Sequence, residues 1–175
     1  MGENMKQESG IKTCNQMEYL RRLIQETDYL ERMKELETLE QERKFCRHGL
    51  QHVLDVARLA WIKVLEEQHP VEKEQLYLTA LLHDMGRIAE YRQGIPHHEA
   101  GIIMARNYLQ QIGYPQEKCE LIFEAIQEHR NKEKLNKDFI SIIKQADNQS
   151  RNCFFCEAGK ECKWSEERKN YTIVS

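Results

Sequence analysis

Leu81-Leu82-His83-Asp84-Met85-Gly86-Arg87 sets an imidazole beside a carboxylate at the end of an apolar run, directly before a glycine. Leu78, Leu81, Leu82 and Met85 fall at the spacing of one buried helix face. Polar groups at the edge of such a face must be paired, hydrogen-bonded or bound to a metal, because burying them bare is costly. Neighbouring residues differ by roughly 100° around a helix, so His83 and Asp84 can both reach one ion between this helix and others. The stretch predicts a buried, helix-borne metal site, and the rest of the chain must supply the missing ligands.

The composition suits a helical protein of one domain: among 175 residues there are 3 prolines, 8 glycines and 31% charged residues. A net charge of −3 argues against nucleic acid or an acidic lipid surface as partner. It leaves room for a small anionic substrate held by local arginines or a metal. Residues 1 to 10 are polar and lack the apolar core of a signal peptide, and no apolar run approaches a membrane span. With six cysteines, this points to a reducing cytoplasm in which thiols are free or metal-bound.

Helical patterns run over about 16–44 (with a break near Gln25 to Asp28), 45–68, 72–91, 97–112, 116–131 and 138–150. Each of the five after the first carries an inward polar residue on an apolar stripe. His52 shares its face with Val56 and Leu59, and His48 lies one turn before it. His98 goes with Ile102, Ala105 and Leu109, while His97 falls on an adjacent face, exposed or behind the ligands. His129 goes with Ile122, Ala125 and Ile126, and Asp147 with Ile140 and Ile143. Each has a plain structural explanation alone: a satisfied core histidine, or a salt bridge from Asp147 to Arg151 one turn on. Five together point to a metal centre. Nitrogen and oxygen ligands suit Fe, Mn, Zn, Ni and Co alike.

His52-x-x-x-Val56-Ala57, then Leu82-His83-Asp84-Met85-Gly86-Arg87, then Asp147 resemble the H…HD…D signature of the HD-domain superfamily over residues 45–150. The resemblance implies an all-α, compact HD-domain helical bundle with a metal site. To it this chain adds an N-terminal tail and packing helix (1–44, part of the same domain) and a cysteine-bearing C-terminal extension (151–175). Many members are phosphohydrolases acting on nucleotides or other small phosphate esters; small single-domain ones resembling this chain cleave diadenosine tetraphosphate symmetrically. The resemblance implies His52, His83, Asp84 and Asp147 as ligands of a first ion. His98 and His129 would serve a second, with Asp84 bridging, since a carboxylate can span two divalent ions. Arg87 stands where many members carry lysine; it keeps the charge and adds a fork suited to phosphate. Asp84 and Arg87 are the candidate catalytic residues, and His48, Arg87, Arg130 and Arg151 the candidate substrate contacts. Two other classes use the same ligands: di-iron oxygenases of this superfamily and non-catalytic metal sensors.

Cys153-x-x-Cys156 and Cys162 put three thiols in ten residues, at metal-ligand spacing. A tetrahedron needs one more. Cys46 lies six residues before His52, and Cys153 six after Asp147, so the two come level if those helices run antiparallel. A second metal at Cys46, Cys153, Cys156 and Cys162, as structural zinc or an iron–sulfur cluster, competes with free thiols.

Overall fold

The computed structural model describes residues 17–128 and 138–173. Its α-helices are α1 (Glu18–Glu26), α2 (Tyr29–Leu39), α3 (Leu50–Glu66), α4 (Lys73–Leu82), α5 (Arg87–Gln93), α6 (His97–Gln111), α7 (Cys119–Glu128) and α8 (Asp138–Gln149). Single 3-10 turns follow α6 and punctuate the C-terminal extension. Among the described residues there is no strand, and no helix is long and apolar enough to cross a membrane. The fold class expected from the sequence, an all-α bundle, is the one observed.

α3 is the hub, packing against α8 on one side and α4 on the other, while α6 lies on α7 and α5. Val53, Val56, Ala57 and Ala60 of α3 meet Leu78 and Leu82 of α4 and Ile140 and Ile143 of α8 in one buried cluster. The N-terminal pattern does break where expected. Thr27 donates its hydroxyl to the Leu23 carbonyl at 2.6 Å and accepts from the Tyr29 backbone N–H at 3.2 Å, ending α1 and starting α2. Leu20, Leu23, Tyr29, Met33 and Leu36 then bury the inner faces of both helices in the core.

Two expected boundaries are corrected. α3 starts at Leu50, not at residue 45, so His48 sits in the entering loop. No Ser, Thr, Asp or Asn caps the start; Glu37 of α2 accepts the Leu50 backbone N–H at 3.0 Å. The long third helix is in fact two, α4 and α5, parted at His83–Gly86. There the backbone tightens into three-residue bonds, Met85 N–H to Leu82 O and Arg87 N–H to Asp84 O. The last carbonyls of α4 are met by side chains. Tyr29 donates its hydroxyl to Leu81 O at 3.0 Å, and His83 donates Nδ1–H to Ala80 O at 2.7 Å.

Gly86 explains why the chain turns here. A Cβ built on it would stand 1.9 Å from the His97 carbonyl and 2.4 Å from the Gly101 nitrogen, so α6 starts directly against this glycine. We predict that Gly86→Ala lowers unfolding stability by about 3 kcal/mol, as backbone atoms rather than a flexible side chain must move. Gly159→Ala meets open space and should shift stability by less than about 0.5 kcal/mol. Urea denaturation of the two variants measures both; equal midpoints would contradict the packing described.

Candidate metal centre

Three helices deliver four side chains to one point: His52 from the first turn of α3, His83 and Asp84 from the break after α4, and Asp147 from the last turn of α8. Their donor atoms lie within 4.8 Å of one another. His52 Nε2 is 3.3 Å from Asp147 Oδ1 and 3.6 Å from Asp84 Oδ2, and His83 Nε2 is 3.1 Å from Asp84 Oδ2. His83 and Asp84 are buried, at 0% and 2% exposure, whereas Asp147 faces partly outward.

The second nitrogen of each ring fixes its tautomer. A carbonyl can only accept, so His83 holds its proton on Nδ1, against Ala80 O. Ser150 gives its own proton to Asp147 O at 2.7 Å and therefore accepts from His52 Nδ1 at 3.1 Å. Each ring turns its Nε2 edge toward the two carboxylates, the edge that a metal would use in place of a proton. Arg151 confirms the acceptor character of His52 Nε2 by donating to it at 2.9 Å, and it also stands 3.4 Å from Asp147 Oδ1. The salt bridge expected as the dull explanation of Asp147 thus exists beside the cluster. Two imidazole nitrogens and two carboxylates at this spacing are a donor set for a divalent transition metal.

Charge surrounds this set on every side. Burial pushes the Asp84 carboxyl up, but the charges of His83 and Arg87 outweigh it and hold the group well below the carboxylate range. Arg87, itself buried, donates Nε–H to Asp84 Oδ1 at 2.7 Å. Burial opposes protonation of His83, yet Asp84 raises its pKa overall. Asp147 is likewise held low, burial being outweighed by His52 and His83. Beside them lies a network not anticipated from the sequence. Glu40, fully buried at the end of α2, accepts from His48 Nδ1 at 2.6 Å and from the Tyr91 hydroxyl at 2.7 Å. Burial works against the Glu40 charge, but these partners bring its pKa to about 2. Burial takes His48 down to about 4, so at neutral pH it is uncharged and donates Nδ1–H to Glu40. Its ring lies edge-on to His52, centroids 5.6 Å apart.

A family model described as "HD domain" matches residues 49–152. The chain belongs to the HD-domain family. It is also 38% identical over 151 residues, 86% of this chain and 95% of the other, to a protein of Clostridium beijerinckii described as uncharacterized. The HD fold is shared with the crystal structure of a predicted HD superfamily hydrolase from an uncultured Thermotogales bacterium. That chain is 21% identical, with a TM-score of 0.59 over 81% of this chain and 79% of that one.

The other candidates of this HD domain fall as follows. His98 is partly exposed and outside the four-residue group, while its neighbour His97 is buried, 3.1 Å from Glu90 through Nδ1. That reverses the expected order of burial. Ala105 and Leu109 are buried as expected, but at the start of α6 His97 and Gly101 take the inner positions expected for His98 and Ile102, where the helix is seated against Gly86. His129 and Arg130 lie outside the described residues. Arg87, Arg151 and His48 all line a cavity of about 660 Å³ that reaches Asp147. Arg43, Lys144, Lys163 and Arg168 line it too, with Trp164 and Phe45. Among the described residues, Asp147 is its one acidic wall residue.

The depressed His48 pKa gives a pH prediction. The unfolded chain takes up this proton at about 6.5 and the folded one only near 4. Stability from a neutral His48 is therefore complete above about pH 6.5 and lost as pH falls toward 4. In chelator-treated protein, melting temperature should drop across that window, and His48→Asn should flatten the drop. A variant with an unchanged acid limb would contradict the assignment.

Proposed function

We propose that this HD domain is a metal-dependent phosphohydrolase acting on a small, nucleotide-like phosphate ester. One observation carries the proposal: a cavity walled by arginines and lysines reaches a carboxylate of the four-donor cluster, in a chain whose net charge is −3. Concentrating cations there favours a multiply charged anion. Trp164 and Phe45 on the same wall offer flat apolar surface to a base. The relatives named above support a hydrolase only through the fold, and the free described cysteines agree with a cytoplasmic setting.

His52, His83, Asp84 and Asp147 would hold the ion. A metal bound there supplies Lewis acidity and brings the pKa of a coordinated water toward neutrality. The chain's own residues do the remainder. Arg87 keeps Asp84 ionised and oriented. Arg151, which shares His52 and Asp147, is placed to receive phosphate oxygens when a divalent ion competes for those donors. Lys144, Lys163 and Arg168 carry the more remote charge of the substrate. His48, with Nδ1–H given to Glu40, keeps Nε2 as a proton acceptor on the cavity wall.

A dinuclear centre belongs to the same proposal, with His98 and His129 on the second ion and Asp84 shared. It requires Asp84 Oδ1 to leave Arg87, its present partner at 2.7 Å. The metal count per chain tests that step directly.

Elemental analysis of the purified protein, followed by a phosphoester and nucleotide panel with the metals found, tests the function. Phosphate release is expected, and Asp84→Ala should lose both metal and turnover. His48→Gln should keep its metal and lose about a hundredfold or more in kcat. Oxygen uptake without phosphate release would replace the hydrolase by an oxygenase. A metal-loaded protein inert across the panel would leave a sensor.

A further inference from the structure

Cys46, Cys153, Cys156 and Cys162 line one cavity of about 530 Å³ on the outer side of His52. The cysteines come from two segments over a hundred residues apart in sequence, and the structure ties those segments together around them. Arg151 donates to the Arg47 carbonyl at 2.7 Å, and Lys44 pairs with Glu161. Arg43 donates to the Cys46 carbonyl at 2.8 Å. Cys153 and Cys156 close a tight turn through Cys156 N–H to Cys153 O at 3.2 Å. All four are free thiols. Burial pushes the Cys46 thiol up, Arg151 partly offsets that, and the three other sulfurs add to it. A cation seated among the four sulfurs would offset that cost at Cys46. Lys44, Arg47, Arg151 and Lys169 line the same cavity and outnumber its carboxylates, Glu37 and Asp55, which suits a centre of net negative charge.

We propose that these four cysteines hold an iron–sulfur cluster. A single tetrahedral zinc at about 2.3 Å from each sulfur would draw the four within about 3.8 Å of one another. Among the described residues, the donors gathered within 4.8 Å are those of His52, His83, Asp84 and Asp147, and no such set comes from the cysteines. Four thiols placed around one cavity of about 530 Å³ suit a larger group, a cluster of several irons and sulfides held by four cysteine ligands. Cys46 and Cys162 also border the cavity that holds Trp164 and Arg168, so the cluster fastens the C-terminal extension to the wall of the substrate cavity. The four thiols are distinct from the four His/Asp ligands, although His52 and Arg151 border this cavity too, so cluster content is read separately from turnover.

The test is iron, zinc and acid-labile sulfide analysis of the full-length protein, purified without oxygen and again after anaerobic reconstitution with ferric iron, sulfide and a thiol reductant. Expected are iron and sulfide together with sulfide-to-iron charge-transfer absorption. Cys156→Ser and Cys162→Ser should lose the sulfide and the colour yet keep the His/Asp-bound metal and helical circular dichroism. Cys119→Ser, remote from the cavity, should retain everything. Zinc bound by the thiols without sulfide, or sulfide-free protein after reconstitution with all thiols open to alkylation, would overturn the proposal.

Discussion

A fully buried carboxylate is the constraint on which the rest of the structure turns. Asp84 is closed off from water and remains ionised because Arg87 holds one oxygen while His52 and His83 face the other. A bare carboxylate in that position would be strongly destabilising. The compensating groups come from neighbouring elements: an imidazole from α3, a guanidinium from α5, and, just after α8, Arg151 set against the second carboxylate, Asp147. The donor set is thus both a local electrostatic problem and a ready ligand sphere, since a divalent cation answers the same excess of negative charge.

The helix break makes the arrangement possible. The bare Gly86 at the break leaves room for the start of α6, whose backbone would meet any side chain there. The tightened turn lets His83 and Asp84 face α3 and α8, while Arg87 starts a new helix and folds back on Asp84. Tyr29 satisfies Leu81 O from α2, so the N-terminal helices are part of how the site is built. Glu40 extends that role: through His48 it connects the end of α2 to the ring of His52. Electrostatically the chain is divided, with a modest net negative charge overall and a concentration of arginine and lysine around the cavity that reaches Asp147.

Much of this was legible in the sequence. Apolar stripes revealed α3, α6 and α8, and the polar residue ending each stripe revealed His52 and Asp147. The adjacent pair at His83-Asp84 was plain because few structural roles require both side by side on one apolar face. Other features carried no local signal. Glu40 is one of many acidic residues in a charged helix, and its partner His48 is eight residues on, across a loop. The break at Gly86 depends on the approach of α6, a contact between segments that helical periodicity does not report. The shift from His98 to His97 on the inner face of α6 has the same origin. Ser150, which sets the tautomer of His52, was readable only once α8 lay against α3. Cys46 and Cys153 line one cavity, although both lie beyond the ends of the helices on which the residue count placed them.

The most direct test of the metal centre is anomalous diffraction from crystals of the purified protein, at the absorption edge of the metal found by elemental analysis. A peak is predicted about 2.0–2.2 Å from Nε2 of both His52 and His83 and from oxygens of Asp84 and Asp147. Metal-loaded crystals with no peak among these four side chains, and with Arg151 still bound to His52 Nε2, would contradict the account.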